Sequence, residues 1–488
     1  MLTRTALFAA VALLALGCAS LMPGGASARG SSGPHAAAKP IAIHFHVTRP
    51  QLGRTKSPAK TLHREPKGNK QARSSRHKEH VKSFRQPPRI VGPLVAITKR
   101  PGTGVPPPNE RRFVRNEVTI EIDSTLSSEI IAALARRHRL ERLEAFPHRL
   151  AGTMSVRWRI PDRRSVPALI RELEADADVI SAQPNYVFSL AQDPPTTGRA
   201  IVDPAEYALT KLRLPQAHEL ANGDKVLVAV IDTGIEQRHP ELAGVFAGDF
   251  DALGKEFNVD VHGTAVAGVI GAHGHLHGAA PGARLLAVRA FSRAGEGTTF
   301  SIIAGLNWAV AQGARVINMS FTGPPDPALA RNLAAAHDKG VVLVAAAGNK
   351  GPSSTVLFPA ADPHVIAVTA VDNDDVVPAF ANRGPHIGLA APGVDLLLLA
   401  PNGSLRVSSG TSFAAPYVAG IVALMIQQRP ELTAEAIRKA LLTTGRRLEP
   451  AASNAQYGTR LVDAYQALLS VRPDDRERPR LIPARNEP

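Results

Sequence analysis

A chain of 488 residues is too long for one ordinary hydrophobic core, so several segments are expected. The formal net charge is +15, but residues 29–100 alone carry 17 Lys or Arg against two Asp or Glu. Because the excess is confined to one polar stretch, it does not indicate a nucleic-acid-binding domain in the remainder, and no nucleic-acid partner is predicted.

The first 28 residues have the pattern of an export signal. Arg4 precedes a short apolar run over residues 6–16, and Ala26-Ser27-Ala28 offers a small-residue cleavage site. We therefore predict an exported protein, secreted or held in the cell envelope or periplasm, and no transmembrane domain. The single cysteine, Cys18, excludes an intrachain disulfide.

Cys18 closes Leu14-Ala15-Leu16-Gly17-Cys18, which resembles a bacterial lipoprotein cleavage box with Ala15 where leucine is preferred. A lipid anchor through Cys18 and a soluble secreted form both remain open at this point.

The linkers follow from composition. Residues 29–111 are rich in Pro, Ser, Gly and Lys and are predicted to form a disordered basic linker, with a solvated spacer favoured over a specific binding role. Residues 192–204 carry Pro194, Pro195 and Pro204 and read as an exposed connector. Residues 471–488 are charged and Pro-rich and are predicted to be a disordered tail.

Residues 112–191 predict a small α+β domain. Strand patterns cover residues 116–122, 142–146, 153–160 and 179–183. Two helices lie between them, one capped by Ser127 or Ser128 and one by Ser165. The order βαββαβ is that of a ferredoxin-like sandwich.

Residues 205–470 alternate continuous apolar runs with helical stretches. The runs, typical of strands buried on both faces, are residues 226–231, 284–289, 315–319, 341–346 and 365–370; the helical stretches between them are residues 264–272, 299–311 and 327–338. This alternation predicts an α/β fold with a doubly wound parallel sheet, in which ligands gather at the carboxyl ends of the strands.

Four polar residues fall near those ends: Asp232, His262, Asn349 and Ser412. Each alone has an ordinary structural explanation, since Asp and Asn are turn residues and a serine caps helices. Together, however, Asp, His and Ser occur in one of the orders known for catalytic triads. A dinucleotide fold and a lipase are disfavoured, because Asp232-Thr233-Gly234 lacks G-x-G-x-x-G and Gly410-Thr411-Ser412 is not a G-x-S-x-G elbow.

The blocks around these residues resemble the subtilisin-like serine proteases over about residues 205–470. The matching blocks are Asp232-Thr233-Gly234, His262-Gly263-Thr264, Ala347-Gly348-Asn349 and Gly410-Thr411-Ser412-Phe413-Ala414-Ala415-Pro416. The resemblance implies a serine endopeptidase that forms an acyl-enzyme on Ser412, with His262 as general base and Asp232 orienting it. It further implies an oxyanion hole from the Asn349 amide and the Ser412 N–H, and no cofactor for catalysis.

The resemblance also implies a substrate cleft for polypeptides. Gly295, Glu296 and Gly297 form one edge that pairs with an extended peptide, and Ser320, Phe321 and Thr322 form the other. Ala347, Gly348 and Leu357 wall the pocket for the residue before the scissile bond, and the absence of an acidic residue there favours apolar side chains.

By the same resemblance, residues 112–191 are an inhibitory propeptide, so that the protein is a self-processing zymogen with its maturation site in the connector. Structural calcium remains open, because the segment from His262 to Pro281 lacks the polar loop of many relatives. His273, His275 and His277 indicate a surface connection rather than a metal site, and no metal ligands are predicted. The alternative function is a secreted, catalytically silent binding module.

Overall fold

The computed structural model describes residues 102–148, 152–190, 207–254, 258–448 and 460–472. The predicted signal with Cys18, the predicted connector and nearly all of the predicted linker and tail lie outside the described residues. The described end of the predicted linker, residues 102–111, lies against the small domain, where the Gly104 N–H donates to Glu174 Oε1 at 2.6 Å. The described residues all fall in one compact unit, Ile90–Pro488.

The small domain has the predicted βαββαβ order. Its elements are β1 (Phe113–Asp123), α1 (Ser128–Arg137), β2 (Glu141–His148), β3 (Thr153–Arg159), α2 (Val166–Ala175) and β4 (Ser181–Leu190). The side chains of Ser127 and Ser165 cap the two helices, as expected. The strands are antiparallel in the order β4-β1-β3-β2.

The large domain alternates helices and strands along the chain. Its elements are α3 (Tyr207–Lys211), α4 (Leu214–His218), β5 (Leu227–Asp232), β6 (Phe246–Asp251), α5 (Val261–Gly271), β7 (Arg284–Arg289), β8 (Glu296–Thr298), α6 (Thr299–Ala311), β9 (Val316–Met319), β10 (Phe321–Thr322), α7 (Pro327–Asp338), β11 (Val342–Ala346), β12 (Val365–Val371), β13 (Ile387–Pro392), β14 (Leu396–Ala400), β15 (Ser404–Ser408), α8 (Thr411–Gln428), α9 (Ala434–Thr444), β16 (Arg446–Arg447), β17 (Arg460–Leu461) and α10 (Ala464–Val471).

Nine of these strands form the central sheet, in the order β16-β17-β13-β12-β11-β9-β5-β7-β6. All neighbours pair in parallel except the edge strand β16. Successive side chains of β5 point to opposite faces. Val228 and Val230 join the core under α5 and α8, whereas Ala229 and Ile231 join the core under α6 and α7. The sheet is therefore covered on both faces, which explains the continuous apolar runs and confirms the predicted fold class.

The sheet of the small domain also has two covered faces. Val118, Ile120 and Ile122 point toward α1 and α2 and form the domain's own core. Thr119 and Glu121, which alternate with them, are buried on the opposite face. That face lies against α6 and α7 of the large domain.

Strand β4 belongs to both domains. Its first part pairs with β1, and its last residues pair antiparallel with β8 and β10 of the large domain. The sequence pattern predicted only residues 179–183 as strand, and the structure extends β4 to Leu190. Because the second half is held by strands of the large domain, no local pattern could reveal it.

Among the described residues, no helix is both long enough and apolar enough to cross a membrane.

Candidate active site

Asp232 and His262 form a hydrogen-bonded pair at one end of the sheet. Asp232 is the last residue of β5 and has no solvent exposure. Its Oδ1 lies 2.7 Å from His262 Nδ1 and also accepts from the Thr233 N–H at 2.7 Å. These bonds fix the carboxylate, and the carboxylate in turn fixes the imidazole ring.

His262 lies inside the first turn of α5, not before the helix. The helix begins at Val261 because Asp260 caps it, accepting from the His262 N–H at 3.0 Å. The predicted helix started at Thr264, three residues later than observed. The earlier start sets the direction of the His262 side chain through a rigid helical turn.

Ser412 is the second residue of α8. The N-cap is Gly410, so the helix-capping explanation for Ser412 is wrong. Gly410 has φ +154° and ψ 152°, a backbone region essentially restricted to glycine. Ser412 is fully buried, its Oγ donates to the Ser320 carbonyl at 3.2 Å, and the Ser320 Oγ donates back to the Ser412 carbonyl at 2.8 Å.

Asn349 lies in the loop after β11 and faces the start of α8. Its Oδ1 accepts from the Thr411 N–H at 3.0 Å and from Thr411 Oγ1 at 2.8 Å. Its Nδ2 lies 3.0 Å from the position that a Cβ on Gly410 would occupy. The amide is thus anchored through its oxygen, and its donor group lies beside the turn that leads into Ser412.

The fold brings these predicted residues to one place from distant parts of the chain. The His262 ring lies 5.6 Å, centroid to centroid, from the ring of Phe413, which directly follows Ser412. A pocket of about 360 Å³ opens beside them. Its lining includes Ser189, Leu190, Val261, His262, Gly295, Glu296, Arg293, Arg406 and Phe413.

The two predicted cleft edges hold the end of β4 between them. On one side Phe188 pairs with Gly297 and Ser189 with Glu296, and the Leu190 N–H donates to the Gly295 carbonyl at 2.9 Å. On the other side Ser189 pairs with Thr322 and Leu190 with Phe321. The end of β4 therefore lies in the cleft as the middle strand of three.

Phe188 occupies an aromatic pocket that the sequence did not reveal. It is fully buried, and its ring packs edge-on against Phe321 at 6.0 Å. Gly323 makes room for it, since a Cβ there would lie 2.2 Å from Phe188 Cδ1. The pocket is formed across two domains, and a lone glycine gives no sequence signal of such a contact.

Leu357 lies near the predicted pocket residues. It is 2% exposed, and its Cδ1 lies 3.2 Å from the position of a Cβ on Gly348. Ala347 is likewise buried. Within the described ranges, no group of three or more His, Cys, Asp or Glu is placed to hold a metal ion. The histidines of the 273–277 segment lie on the surface, His273 bridging to His277.

A parallel α/β sheet that carries an aspartate–histidine pair and a serine in the first turn of a helix has the architecture of a serine protease. Residues 223–459 match the subtilase family. Subtilisin DY of Bacillus licheniformis is 37% identical over 254 residues, which are 50% of this chain and 91% of that protein. The chain belongs to the subtilase family.

Further similar proteins agree with this assignment. Thermitase of Thermoactinomyces vulgaris is 34% identical over 271 residues, covering 54% of this chain and 95% of thermitase. Fervidolysin from Fervidobacterium pennivorans, described as a keratinolytic enzyme related to subtilisin, superposes with a TM-score of 0.63 at 24% identity. That superposition covers 73% of this chain and 61% of fervidolysin and bears on the fold alone.

Proposed function

We propose that the protein is an exported serine endopeptidase, made as a zymogen that processes itself. The observation that carries the proposal is the 2.7 Å contact between Asp232 and His262 beside the N-terminus of α8, with the end of β4 lying in the adjoining cleft. The substrates are polypeptides, because the cleft pairs with an extended backbone.

The proposed chemistry assigns one role to each of four residues. His262 takes the proton of the Ser412 hydroxyl while Ser412 Oγ attacks the scissile carbonyl carbon. Asp232 holds the imidazole tautomer and stabilises the imidazolium. The Asn349 amide and the Ser412 N–H donate to the oxyanion. His262 then protonates the leaving amine, and water hydrolyses the acyl-enzyme on Ser412.

The proposed position of self-cleavage follows from the register of β4. Leu190 is the last described residue of β4 and pairs with Phe321, which directly follows Ser320. The Ser320 carbonyl is the group that accepts the Ser412 hydroxyl at 3.2 Å. We therefore expect the carbonyl of Ala191 to be attacked and the mature enzyme to begin at Gln192.

The test compares the full chain with its Ser412→Ala variant. The wild-type chain is expected to give two fragments on a denaturing gel, with Gln192 at the N-terminus of the larger one, whereas the variant stays intact. Maturation of the Ser412→Ala chain at the wild-type rate, without added protease, would show that the processing is not its own.

Activity is tested separately on the wild-type protein. We expect it to hydrolyse casein and to be labelled by a fluorophosphonate, which reacts with an activated serine. Failure of both would favour the catalytically silent binding module. N-terminal analysis of the exported precursor would distinguish cleavage after Ala28 from a lipid-modified Cys18.

A further inference from the structure

His148, the last residue of β2, is buried where the small domain meets the large one. It is 2% exposed, and it lines a small pocket together with residues of both domains. The small domain contributes Thr119, Phe146 and Ser155, and helices α6 and α7 contribute Thr299, Phe300, Ile303 and Ala328. The histidine is thus part of the contact between the domains.

Neither ring nitrogen of His148 has a hydrogen-bond partner among the described residues. A neutral imidazole leaves one donor and one acceptor unsatisfied there, whereas an imidazolium has two donors and a charge to bury. Burying an unpaired charge costs far more than burying a neutral polar group. The contact therefore accepts the neutral ring and resists the charged one.

The charges around His148 do not remove this cost. Glu121 on β1 favours the protonated ring, but its carboxylate is already engaged by Arg331 of α7 at 2.9 Å, by Thr153 Oγ1 at 2.8 Å and by Ser181 Oγ at 3.1 Å. Arg331 itself disfavours a second positive charge on His148. Burial dominates and lowers the pKa of His148 from its usual 6.5 to about 4.

We propose that His148 is a proton-operated release switch, whose protonation in mildly acidic solution separates the small domain from the large one and uncovers the cleft. The proposal rests on the proposed function, in which the small domain inhibits the enzyme, and it adds the condition under which inhibition ends. Separation exposes His148 to water, where the imidazolium is hydrated.

The sign of the pH dependence follows from the two states. In the closed state the pKa of His148 is about 4, and in the open state it returns toward 6.5. The closed state is therefore fully stable above pH 6.5 and loses stability as the pH falls from 6.5 toward 4. We call the equilibrium constant for separation of the two domains the opening constant. Across this window, as the pH falls, protonation of His148 raises the opening constant by about tenfold per pH unit.

Asp326 at the start of α7 acts in the opposite sense. It accepts from Gln183 Nε2 of the small domain at 2.7 Å, and its burial raises its pKa. Acid thus stabilises the closed state through Asp326. Its usual pKa of 3.8 applies in the open state and a higher pKa applies in the closed state, so this opposing effect acts above pH 3.8, and the His148 variants measure it without the contribution of His148.

The first experiment follows opening without requiring catalysis. Hydrogen exchange of β4 is measured by mass spectrometry on the full-length Ser412→Ala chain at pH 7.5, 6.5, 5.5 and 4.5, corrected for the intrinsic pH dependence of exchange. We expect protection of Val187–Leu190 amides to fall by up to about tenfold per unit below pH 6.5, while β3 amides around Trp158 stay protected. Loss of protection in β3 in step with β4 would mean unfolding of the small domain and would overturn the release switch.

Two variants remove the titration. His148→Phe keeps an aromatic ring next to Phe146, and His148→Gln keeps a neutral polar side chain; both are expected to abolish the rise of the opening constant between pH 6.5 and 4.5. His337→Gln is the matched control, because His337 lies ten residues beyond the start of α7, about 15 Å along the helix. A wild-type slope in both His148 variants would overturn the proposal.

The second experiment uses the wild-type chain and measures the lag before hydrolysis of a fluorogenic peptide after transfer from pH 7.5 to each lower pH. The lag is expected to shorten as the pH falls, in wild type and His337→Gln but not in the His148 variants. A chain that opens in the exchange experiment but hydrolyses nothing keeps the switch and refutes the proposed protease. A chain that hydrolyses peptide with a pH-independent lag refutes the switch alone.

Discussion

At the scale of single residues, the site depends on side chains that are held before any substrate arrives. Asp232 receives hydrogen bonds from two neighbours, and the Asn349 oxygen is bound twice by Thr411. Such fixed dipoles stabilise charge that develops in a transition state, because they need not reorganise during the reaction.

Asp232→Asn is expected to lower kcat by about ten-thousandfold. The amide that replaces the carboxylate presents a donor to His262 Nδ1 or leaves the imidazole in the wrong tautomer, so the ring is a poorer base. Burst kinetics with an activated ester measure the acylation step. An acylation rate within tenfold of wild type would contradict the role assigned to Asp232.

Asn349→Ala is expected to lower kcat by about a hundred- to a thousandfold with little change in KM. The variant also loses the bonds to Thr411, so its thermal unfolding is measured in parallel to separate catalysis from stability. Asn373→Ala, at an exposed turn position, is the control. A rise in KM as large as the fall in kcat would instead indicate general damage to the cleft.

At the scale of elements, several boundaries could be predicted to the residue. The strand Arg284–Arg289 and the helices Thr299–Ala311 and Pro327–Asp338 have the predicted bounds, because periodicity, a Thr298 cap and a Pro at the first helical position are local signals. The three residues Asp232, His262 and Ser412 could likewise be predicted from the sequence, since each lies in a short local motif.

The contacts between domains could not be predicted in this way. The last strand of the small domain was predicted to end at residue 183, yet β4 continues to Leu190 because β1, β8 and β10 supply its partners. His148 gave no signal either, since its burial results from helices α6 and α7, which lie more than a hundred residues later. Non-local pairing of this kind leaves no periodic trace in the sequence.

The aromatic pocket between β4 and β10 provides a test at this scale. Gly323→Ala is expected to shorten the activation lag, because the new Cβ would lie 2.2 Å from Phe188 Cδ1 and push β4 out of the cleft. Phe188→Ala removes a fully buried ring, which is expected to destabilise the closed state by about 3–5 kcal/mol and to shorten the lag as well.

Adding Gly323→Ala to Phe188→Ala is expected to leave the lag of the Phe188→Ala variant unchanged, because the ring with which the new Cβ would clash is already absent. Gly248→Ala serves as the control, since a Cβ there meets only ordinary contacts at 3.6 Å or more. Additive effects of Gly323→Ala and Phe188→Ala would mean that the two residues do not meet in the uncut chain.

At the scale of the whole molecule, the small domain supplies hydrogen-bond acceptors to the N-termini of the two helices it covers, α6 and α7. The Asn185 side chain accepts from the Phe300 N–H at 3.3 Å, and the Gln183 side chain accepts from the Ala328 N–H at 2.9 Å. These donors lie in the first turns of α6 and α7, where helices lack internal partners. The small domain therefore stabilises both N-termini at once.

A chain that starts at residue 205 is therefore expected to give little active enzyme. Its nine-stranded sheet is built from distant segments, which makes folding slow, and the two helix N-termini lose their hydrogen bonds to Asn185 and Gln183. Co-expression of residues 102–191 should restore activity in the soluble fraction, while the same segment with Gln183→Ala and Asn185→Ala should restore less. Full activity from the truncated chain alone would refute this dependence.

Because β4 lies in the cleft, a peptide substrate has to compete with it for the same binding site. In the proposed inhibited form, β4 is tethered to the cleft before the chain is cut, so its effective concentration there is of millimolar order. A peptide substrate of similar intrinsic affinity, present at micromolar levels, displaces little of it. The proposed cleavage after β4 removes that advantage in a single step, so the substrate concentration then determines how much of the cleft is occupied by substrate.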